Sequence, residues 1–525
     1  MTELERTQLE TATSDFAKQL NIPYFDTRVE IDIIPLIGKL TLEGMNAYKI
    51  VPLSTTKTEL VLGITDNTDR TQLDALKARL SAYTVTFQFI SRYGWESIFR
   101  RFGLSDYLRM VTTADYKWLE QKLVNAEPKL MFEPLAQLAY LIGASDIHLE
   151  PGQTSARVRF RIDGTLQPIL EIPRERYDLL TSDLQLRAGA KWNADTPQSG
   201  RVSLDLDSKE GNIEQVNMRL ETIPSLHGQD VVIRLFNRAA GYMKIENIHL
   251  EPAQEAALLK AIAHPKGLIL AVGPTGSGKT STLYSIMNHL NSPNSKLVSL
   301  EDPVEYELNG VIQIPVRSDE KESFSEKLRA VLREDPNVVM IGEIRDADTA
   351  KTALQASLTG HLVLSSFHAA SAATAVTRLM DMNDQNSLLA SALRMIMAQR
   401  LVRKLCELCK TPYDASKEEL LQIKTSLHGL PDSALPKLEG LKLYKAVGCN
   451  KCSSIGFKGR IVVVEQLQMT TEMETLIGSS TKATTASAIE LLAIKQGMHT
   501  LIQSGVIAAV KGDTTLEEVY AAIGD

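Results

Sequence analysis

Short apolar runs alternate with segments of helical periodicity along most of the chain, and this pattern predicts an α/β protein. Residues 1–105 form the first such part, in which Gly103 is placed to end a closing helix. Its predicted strands are 48–53, 60–64 and 83–90, and its predicted helices are 69–80 and 95–102. We therefore expect a small N-terminal α/β domain.

The pattern changes twice after this first part. Residues 106–238 begin with helical periodicity up to residue 142 and continue with alternating strands, such as 156–162. Residues 239–405 then alternate fully apolar runs, such as 267–272, with helical stretches. Continuous apolar runs are typical of parallel strands that are buried on both faces. The second change therefore predicts a mostly parallel sheet flanked by helices.

Composition sets the scale and excludes some classes of function. The chain has 525 residues, so we expect three or four domains, since single cores stop growing well below that length. The 57 basic and 64 acidic residues give a formal charge of −7, which is not the footprint of a protein that wraps nucleic acid. No apolar run reaches the roughly 18 residues that would span a bilayer, and the N-terminus does not resemble a signal peptide. We expect a cytosolic protein that touches a membrane only through partners.

A phosphate-binding loop gives the first chemical signal. Residues 273–280 read Gly-Pro-Thr-Gly-Ser-Gly-Lys-Thr, between the predicted strand 267–272 and a predicted helix at 281–290. In this context Lys279 can reach the β- and γ-phosphates of a nucleotide and the Thr280 hydroxyl can join a Mg²⁺ shell, whereas a chance match would be only a glycine-rich turn. The candidate nucleotide-binding residues are Gly273, Pro274, Thr275, Gly276, Ser277, Gly278, Lys279, Thr280 and Ser281.

Two groups of carboxylates follow predicted buried strands. Glu301 and Asp302 come after the run 297–300, and we expect Pro303 to stop strand pairing and leave them in a loop that faces the nucleotide. Glu343 follows a second apolar run, where a carboxylate can hold Mg²⁺ or orient the attacking water. The alternative for both is a solvated acidic strand end.

These residues resemble the motif set of the secretion and pilus-assembly ATPases, the GspE/PulE family with its PilB-like and type II secretion motors. The matching segments are the phosphate loop, Leu-Glu-Asp-Pro-Val-Glu at 300–305, the acidic strand at 332–346 and a histidine box at 359–368. The resemblance covers residues about 20–525 and implies a multidomain α/β protein with a RecA-like P-loop ATPase core. It implies a recruitment-type N-terminal domain at 1–105, a PAS-like domain at 106–238, the ATPase core at 239–405, a tetracysteine zinc module at 406–460 and a helical region at 461–525.

Four arginines gain a role from the resemblance. Arg219 and Arg234 stand where the family places arginines that reach the nucleotide from the second domain. Arg329 and Arg333 match a second pair, and their spacing of four would put them on one helix face. An arginine beside a transferring phosphate is worth about 10³–10⁵ in rate, whereas a surface ion pair contributes at most about 1 kcal/mol. Surface pairing stays open for each of the four.

The histidine box leaves two readings open. His361 and His368 flank a strand-like run, and by resemblance one of them senses the γ-phosphate or relays closure of the site, with His368 the candidate. The alternative is a histidine satisfied within the core. Ala369 and Ala370 replace the Thr-Asn that is common in the family, and Ile-Val-Val-Val-Glu at 461–465 replaces its usual Gly-Ile-Tyr/Phe-Glu.

The four cysteines form two C-x₂-C pairs, Cys406/Cys409 and Cys449/Cys452. Four thiolates can complete a closed tetrahedral Zn²⁺ shell, which is typical of structural rather than catalytic sites. Unliganded thiols are the alternative, because 39 residues separate the pairs, more than in usual zinc ribbons. By resemblance the module indicates an assembly motor rather than a retraction motor.

The resemblance implies a Mg²⁺-dependent ATPase ring, most simply a hexamer, that polymerises a pilus or pseudopilus. Its implied cofactors are ATP, Mg²⁺ held by Thr280, Asp302 and Glu343, and Zn²⁺. Glu301 and Glu343 are expected to divide the roles of activating water and ordering Mg²⁺, and the sequence does not say which residue has which role. Its implied partners are an inner-membrane platform protein and a cytoplasmic recruitment protein, with no nucleic acid. A nucleotide-binding scaffold without turnover and a DNA-translocating ring stay as alternatives, and the sequence does not separate pilus extension from type II secretion.

Overall fold

The structure is a computed structural model of the chain. It describes residues 3–29, 31–191, 195–236, 243–316, 324–382, 386–430, 435–449, 452, 455–479 and 484–524. The chain divides into two compact units, Met1–Arg238 and Ala239–Asp525. The mixed α/β, multidomain architecture that the apolar pattern indicates is confirmed, whereas the finer division into five domains stays a prediction.

The first unit begins with a three-stranded sheet of order β1-β2-β3, in which β1 and β2 are antiparallel and β2 and β3 are parallel. Its closing helix α4 begins where the Ser91 hydroxyl accepts from the Gly94 amide, a standard N-cap. The elements are α1 (Glu3–Gln19), α2 (Leu42–Tyr48), β1 (Ile50–Thr55), β2 (Glu59–Ile64), α3 (Leu73–Arg79), β3 (Thr84–Phe89) and α4 (Arg92–Gly103).

A second, six-stranded antiparallel sheet follows in the same unit, with strand order β6-β5-β4-β9-β8-β7. Alternate residues of its strands pack inward against the helices, as period-two alternation predicts, while arginines and carboxylates occupy the other face. The elements are α5 (Ser105–Thr113), α6 (Lys117–Asn125), α7 (Phe132–Ile142), β4 (Ala144–Pro151), β5 (Ser155–Ile162), β6 (Thr165–Pro173), α8 (Arg174–Arg187), β7 (Gln198–Asp207), β8 (Ile213–Ser225) and β9 (Gly228–Phe236).

The second unit is built on a seven-stranded sheet of order β12-β11-β13-β14-β10-β15-β18. All pairs are parallel except that of β15 and β18, and the central strands are buried along their whole length. The strands are β10 (Gly267–Val272), β11 (Leu297–Glu301), β12 (Val311–Pro315), β13 (Val338–Ile341), β14 (Leu362–Phe367), β15 (Leu393–Leu405) and β18 (Phe457–Gln468). β18 crosses the predicted boundary at residue 460, so the core sheet takes its edge strand from the C-terminal part of the chain.

Helices cover both faces of this sheet, and two hydrophobic clusters fill the layers between helices and strands. The helices are α9 (Pro252–Ile262), α10 (Lys279–Leu290), α11 (Phe324–Val331), α12 (Ala347–Leu358), α13 (Ala372–Asp381) and α14 (Asn386–Ala392). The remaining elements are β16 (Thr411–Asp414), α15 (Lys417–Ser426), β17 (Lys442–Lys445), α16 (Thr471–Gly478), α17 (Ala486–Lys495), α18 (Leu501–Lys511) and α19 (Leu516–Ile523). Across the described ranges, no helix has both the length and the apolar character needed to cross a bilayer.

Candidate nucleotide-binding site

The phosphate loop occupies the turn from β10 into α10, as the sequence predicts. Gly273 has a φ of +152° and Gly278 a φ of +90°, values that side-chain-bearing residues rarely adopt. A Cβ placed on Gly273 would lie 2.5 Å from the Ser277 Oγ and 2.7 Å from the Gln399 carbonyl oxygen. Only glycine therefore allows the chain to pass between these two groups.

Two polar groups of the loop fit phosphate oxygens. The Lys279 ammonium is almost buried and donates to the carbonyl oxygens of Gly273 at 2.8 Å and Pro274 at 2.9 Å. The Ser277 Oγ is buried without a hydrogen-bond partner in the described part of the chain. Both groups lie at the N-terminus of α10, a 12-residue helix whose dipole and first amides favour an anion. The loop therefore fits the phosphates of a nucleotide.

The electrostatics of Lys279 favour the same ligand. Burial, and secondarily the positive charge of Arg400, lowers the pKa of the Lys279 ammonium to about 8. Burial of a charged lysine costs free energy unless an anion lies beside it. A bound triphosphate would stabilise the charged form, so anion binding and protonation of Lys279 favour each other.

The loop after β13 is fixed from both sides. The Gly342 amide donates to the Leu300 carbonyl oxygen at 2.7 Å, and the Ser366 hydroxyl donates to the Gly342 carbonyl oxygen at 2.6 Å. The Ile344 amide donates to the Ser366 carbonyl oxygen at 3.1 Å. These bonds to β11 and β14 hold Glu343 at the carboxyl edge of the sheet, the edge that carries ligands in open parallel sheets.

Glu343 lies in a cluster of four charged or titratable side chains. Its Oε2 is 3.2 Å from the His368 Nε2, its Oε1 pairs with the Arg345 guanidinium, and Arg345 also donates to the Asp302 Oδ2 at 3.4 Å. Burial, followed by the charges of Lys279 and the arginines around it, lowers the pKa of His368 and keeps the imidazole neutral to lower pH. The structure therefore brings Glu343, Asp302 and His368 together, and it adds Arg345.

Arg345 was missed by sequence reasoning. The signal was present, because Arg345 follows Glu343 by two residues in the segment Gly-Glu-Ile-Arg-Asp at 342–346. Its role became visible only through the ion pairs that it makes with two carboxylates.

Glu301 lies elsewhere than expected. It is the last residue of β11 rather than part of a loop, because β12 pairs alongside as far as Pro315 and extends the strand. Its carboxylate is buried and accepts hydrogen bonds from Tyr284, from Ser299 at 2.6 Å and from Gln313 at 3.1 Å. Since β13 and β14 lie between β11 and β10, the two strands are about 14 Å apart. Glu301 therefore contacts the phosphate-loop helix through Tyr284, and its part in hydrolysis stays a prediction.

The remaining histidine and the second arginine pair lie on other elements of the second unit. His361 and His368 lie at opposite ends of β14, and the His361 Nδ1 is 3.1 Å from the Ala356 carbonyl oxygen, so His361 is on the far edge of the sheet. Arg329 lies on α11, but that helix ends at Val331 and Arg333 lies in a 3₁₀ turn. The 3₁₀ turn continues α11 without a break, so the shared helix face of the two arginines stays a prediction. The helix stops because a left-handed residue and then a proline follow the turn, at 335–336.

Arg219 and Arg234 belong to the first unit and lie opposite each other on β8 and β9. Directly opposite residues share a face of an antiparallel sheet, so the two side chains leave the sheet on the same face. Arg219 donates to the Glu221 carboxylate at 2.5 Å, and Arg234 donates to the buried Asp146 carboxylate at 3.0 Å. Their approach to a nucleotide stays a prediction.

The four cysteines converge on one point. The sulfur atoms of Cys406, Cys409, Cys449 and Cys452 all lie within 4.8 Å of one another, and three of the separations are 3.7, 3.8 and 3.9 Å. Zn–S bonds of about 2.3 Å in a tetrahedron give sulfur separations of about 3.8 Å. The expected cysteine cluster is confirmed, and its geometry fits a zinc ion.

Comparison with known proteins gives consistent relatives. The family described as "Type II/IV secretion system protein" matches residues 124–521. The type IV pilus assembly ATPase PilB of Myxococcus xanthus is 32% identical over 535 residues, which cover 97% of this chain and 90% of that protein. The type II secretion system ATPase E of Vibrio cholerae is 39% identical over 399 residues, covering 76% of this chain and 74% of that protein. PilB of Thermus thermophilus is 38% identical over 73% of this chain but only 41% of its own length.

Solved structures share the fold. The ATPase DotB of Legionella pneumophila superposes with a TM-score of 0.55 at 17% identity, covering 76% of this chain and 97% of that one. DotB of Yersinia pseudotuberculosis gives a TM-score of 0.56 at 19% identity, covering 76% and 94%. Because the sequence match extends over most of the chain, the chain belongs to the type II/IV secretion system protein family.

Proposed function

We propose that the chain is a Mg²⁺-dependent ATPase motor that drives assembly of a type IV pilus, or of the pseudopilus of a type II secretion system. The observation that carries this proposal is the phosphate loop, whose buried Lys279 and orphaned Ser277 lie on the same sheet edge as the cluster of Glu343, Arg345 and His368. The names of the relatives in both kinds of machine support it.

Each group has a task that suits its chemistry. Lys279 binds the β- and γ-phosphates, and the exposed Thr280 hydroxyl and the Asp302 and Glu343 carboxylates would hold Mg²⁺. Mg²⁺, when bound, neutralises charge that develops on the phosphate oxygens. The neutral His368 imidazole and Arg345 hold the Glu343 carboxylate in position, which suits a group that orders the attacking water.

The remaining proposals concern the assembly. Arg219, Arg234, Arg329 and Arg333 stabilise the charge that develops on the phosphates during hydrolysis. The chain works as a hexameric ring on the cytoplasmic side of the inner membrane, bound to a platform protein and a recruitment protein. The four cysteines hold Zn²⁺. The acidic net charge of −7 argues against DNA as the moving substrate.

The experiment that tests the function replaces the chromosomal gene in its own host by one encoding Lys279→Ala. We expect the variant to accumulate normally and to abolish either surface pili or secretion of extracellular proteins, because a machine without its motor cannot polymerise its subunits. The process that fails identifies the machine. Normal pili together with normal secretion would contradict the proposal. If deletion of the gene abolishes one process and Lys279→Ala leaves that same process at the wild-type level, the scaffold without turnover is favoured instead.

A further inference from the structure

Glu465 is a buried carboxylate that the proposed nucleotide chemistry does not use. It lies on β18 opposite Ala398 of β15 and is 3% exposed. Burial raises the pKa of its carboxyl group, and backbone amides that donate to it act in the opposite direction. A carboxylate in such a place is destabilising unless strong donors surround it.

The donors come from the first residues of two helices. The Glu465 Oε1 accepts from the Ala372 amide at 2.7 Å, and the Oε2 accepts from the Leu501 amide at 3.3 Å. Ala372 is the first residue of α13 and Leu501 is the first residue of α18. The hydroxyl groups of the N-cap residues Ser371 and Thr500 accept from backbone amides further into each helix, so they leave the amides of Ala372 and Leu501 to Glu465. One carboxylate therefore completes both helix N-termini and is stabilised by both dipoles.

One of these helices, α13, contacts the loop that carries His368 of the candidate nucleotide site. The chain passes from His368 to the start of α13 in a few residues. Arg378 of α13 donates to the His368 carbonyl oxygen, and Arg400 donates to the Ala370 carbonyl oxygen at 3.1 Å. His368 in turn is 3.2 Å from Glu343. A shift of the first turn of α13 would therefore displace His368.

The other helix is tied to the cysteine-bearing part of the chain. Val506 of α18 lies in the same hydrophobic cluster as Leu443 of β17 and Ile423 of α15. The side-chain amide of Gln503, which lies in the first turn of α18, donates to the His428 carbonyl oxygen at 3.1 Å. The position of α18 is thus set by the segment that joins the two cysteine pairs.

We infer that Glu465 is a positioning residue that couples α18 and the cysteine-bearing segment to the His368 loop. Through this one carboxylate, a partner that moves the C-terminal part would alter the nucleotide site. The inference rests on the proposed function only where it concerns ATP turnover, since the link between the two helices is a property of the fold.

The test uses Glu465→Gln in the full-length chain. The glutamine side chain has the shape of glutamate but carries an NH₂ group in place of one carboxylate oxygen. That NH₂ group faces one of the two backbone N–H donors, so at least one of the two hydrogen bonds to a helix N-terminus is lost. We expect hydrogen exchange in segments 369–376 and 501–506 to become about tenfold faster, the size of one lost hydrogen bond to a charged group. We also expect kcat for ATP to fall about tenfold with KM within about twofold, and no further loss when His368→Ala is added.

A second variant and a control make the result decisive. Ala372→Pro removes the backbone N–H that α13 donates to Glu465. Proline is tolerated there because Ala372 is the first residue of the helix and the preceding Ser371 is already extended. We expect this variant to reproduce the kcat loss even where Glu465→Gln folds poorly. Asp69→Asn changes a carboxylate of the first unit that likewise accepts from a backbone amide, at 3.0 Å, and from a hydroxyl, at 2.6 Å, and should leave segment 369–376 unchanged.

Three results would overturn the inference: unchanged exchange in Glu465→Gln, faster exchange in one segment alone, or a kcat loss that adds to that of His368→Ala. A wild-type chain that fails to hydrolyse ATP would contradict the proposed function instead. The exchange measurement would still decide the coupling in that case.

Discussion

Replacing Glu343 by glutamine lowers ATP turnover per chain by about 10³-fold and leaves nucleotide affinity within about threefold. The carboxylate is held by Arg345 and His368 at the carboxyl edge of the sheet. A neutral amide there forms no ion pair with the guanidinium and cannot take up a proton from the attacking water. Phosphate release under steady state measures turnover, and titration with a fluorescent nucleotide measures affinity. The two readouts separate loss of the chemical step from loss of binding.

The matched control is Glu334→Gln. Glu334 is exposed and pairs with Lys296 near the start of β13, at the opposite edge of the sheet from Glu343. A surface ion pair of this kind contributes at most about 1 kcal/mol, so this variant should hydrolyse ATP like the wild type. Turnover by Glu343→Gln within about tenfold of the wild type would remove Glu343 from the chemical step.

Replacing Cys449 by serine removes one zinc ion per chain and destabilises the cysteine-bearing segment by several kcal/mol. Three remaining thiolates do not close a tetrahedral shell, and structural zinc sites contribute directly to the free energy of folding. Zinc analysis of the purified protein measures the metal, and thermal unfolding with limited proteolysis measures the stability of residues 406–460. The sulfur separations of 3.7 to 3.9 Å are the basis of this expectation.

Lys442→Ala is the control for the zinc experiment, because Lys442 is an exposed residue of β17 in the same segment. It should retain one zinc ion and the wild-type melting temperature. A wild-type protein that purifies without zinc, and whose four thiols all react with a thiol reagent in the native state, would show that the cysteines are unliganded.

Local chemistry was predictable from the sequence, because it depends on neighbouring residues. The strand 267–272, the loop after it and the helix beyond are one continuous segment. The order of glycine, lysine and threonine between that strand and that helix indicates a phosphate-binding loop. The buried strands of the core sheet were predicted for the same reason, since a strand covered on both faces is apolar throughout.

The order of the strands was not predictable from local patterns. Glu301 and Glu343 both follow apolar runs. Only the strand order β11-β13-β14-β10 shows that Glu343 follows a strand nearer to the phosphate loop than the strand of Glu301. The pairing of β18 with β15 likewise depends on residues far apart in the chain, and with it the placement of Glu465 between two helices. Arg345 shows the same limit, since its partners come from different loops.

The central claim is that this chain is an ATP-hydrolysing motor that works as an assembled ring. The most direct measurement is steady-state ATP hydrolysis over a protein dilution series, with Lys279→Ala as the blank and with sizing at each concentration. We expect turnover per chain to rise as rings form and to vanish in the Lys279→Ala variant. Rings that bind ATP without hydrolysing it, or turnover that persists in Lys279→Ala, would contradict the account.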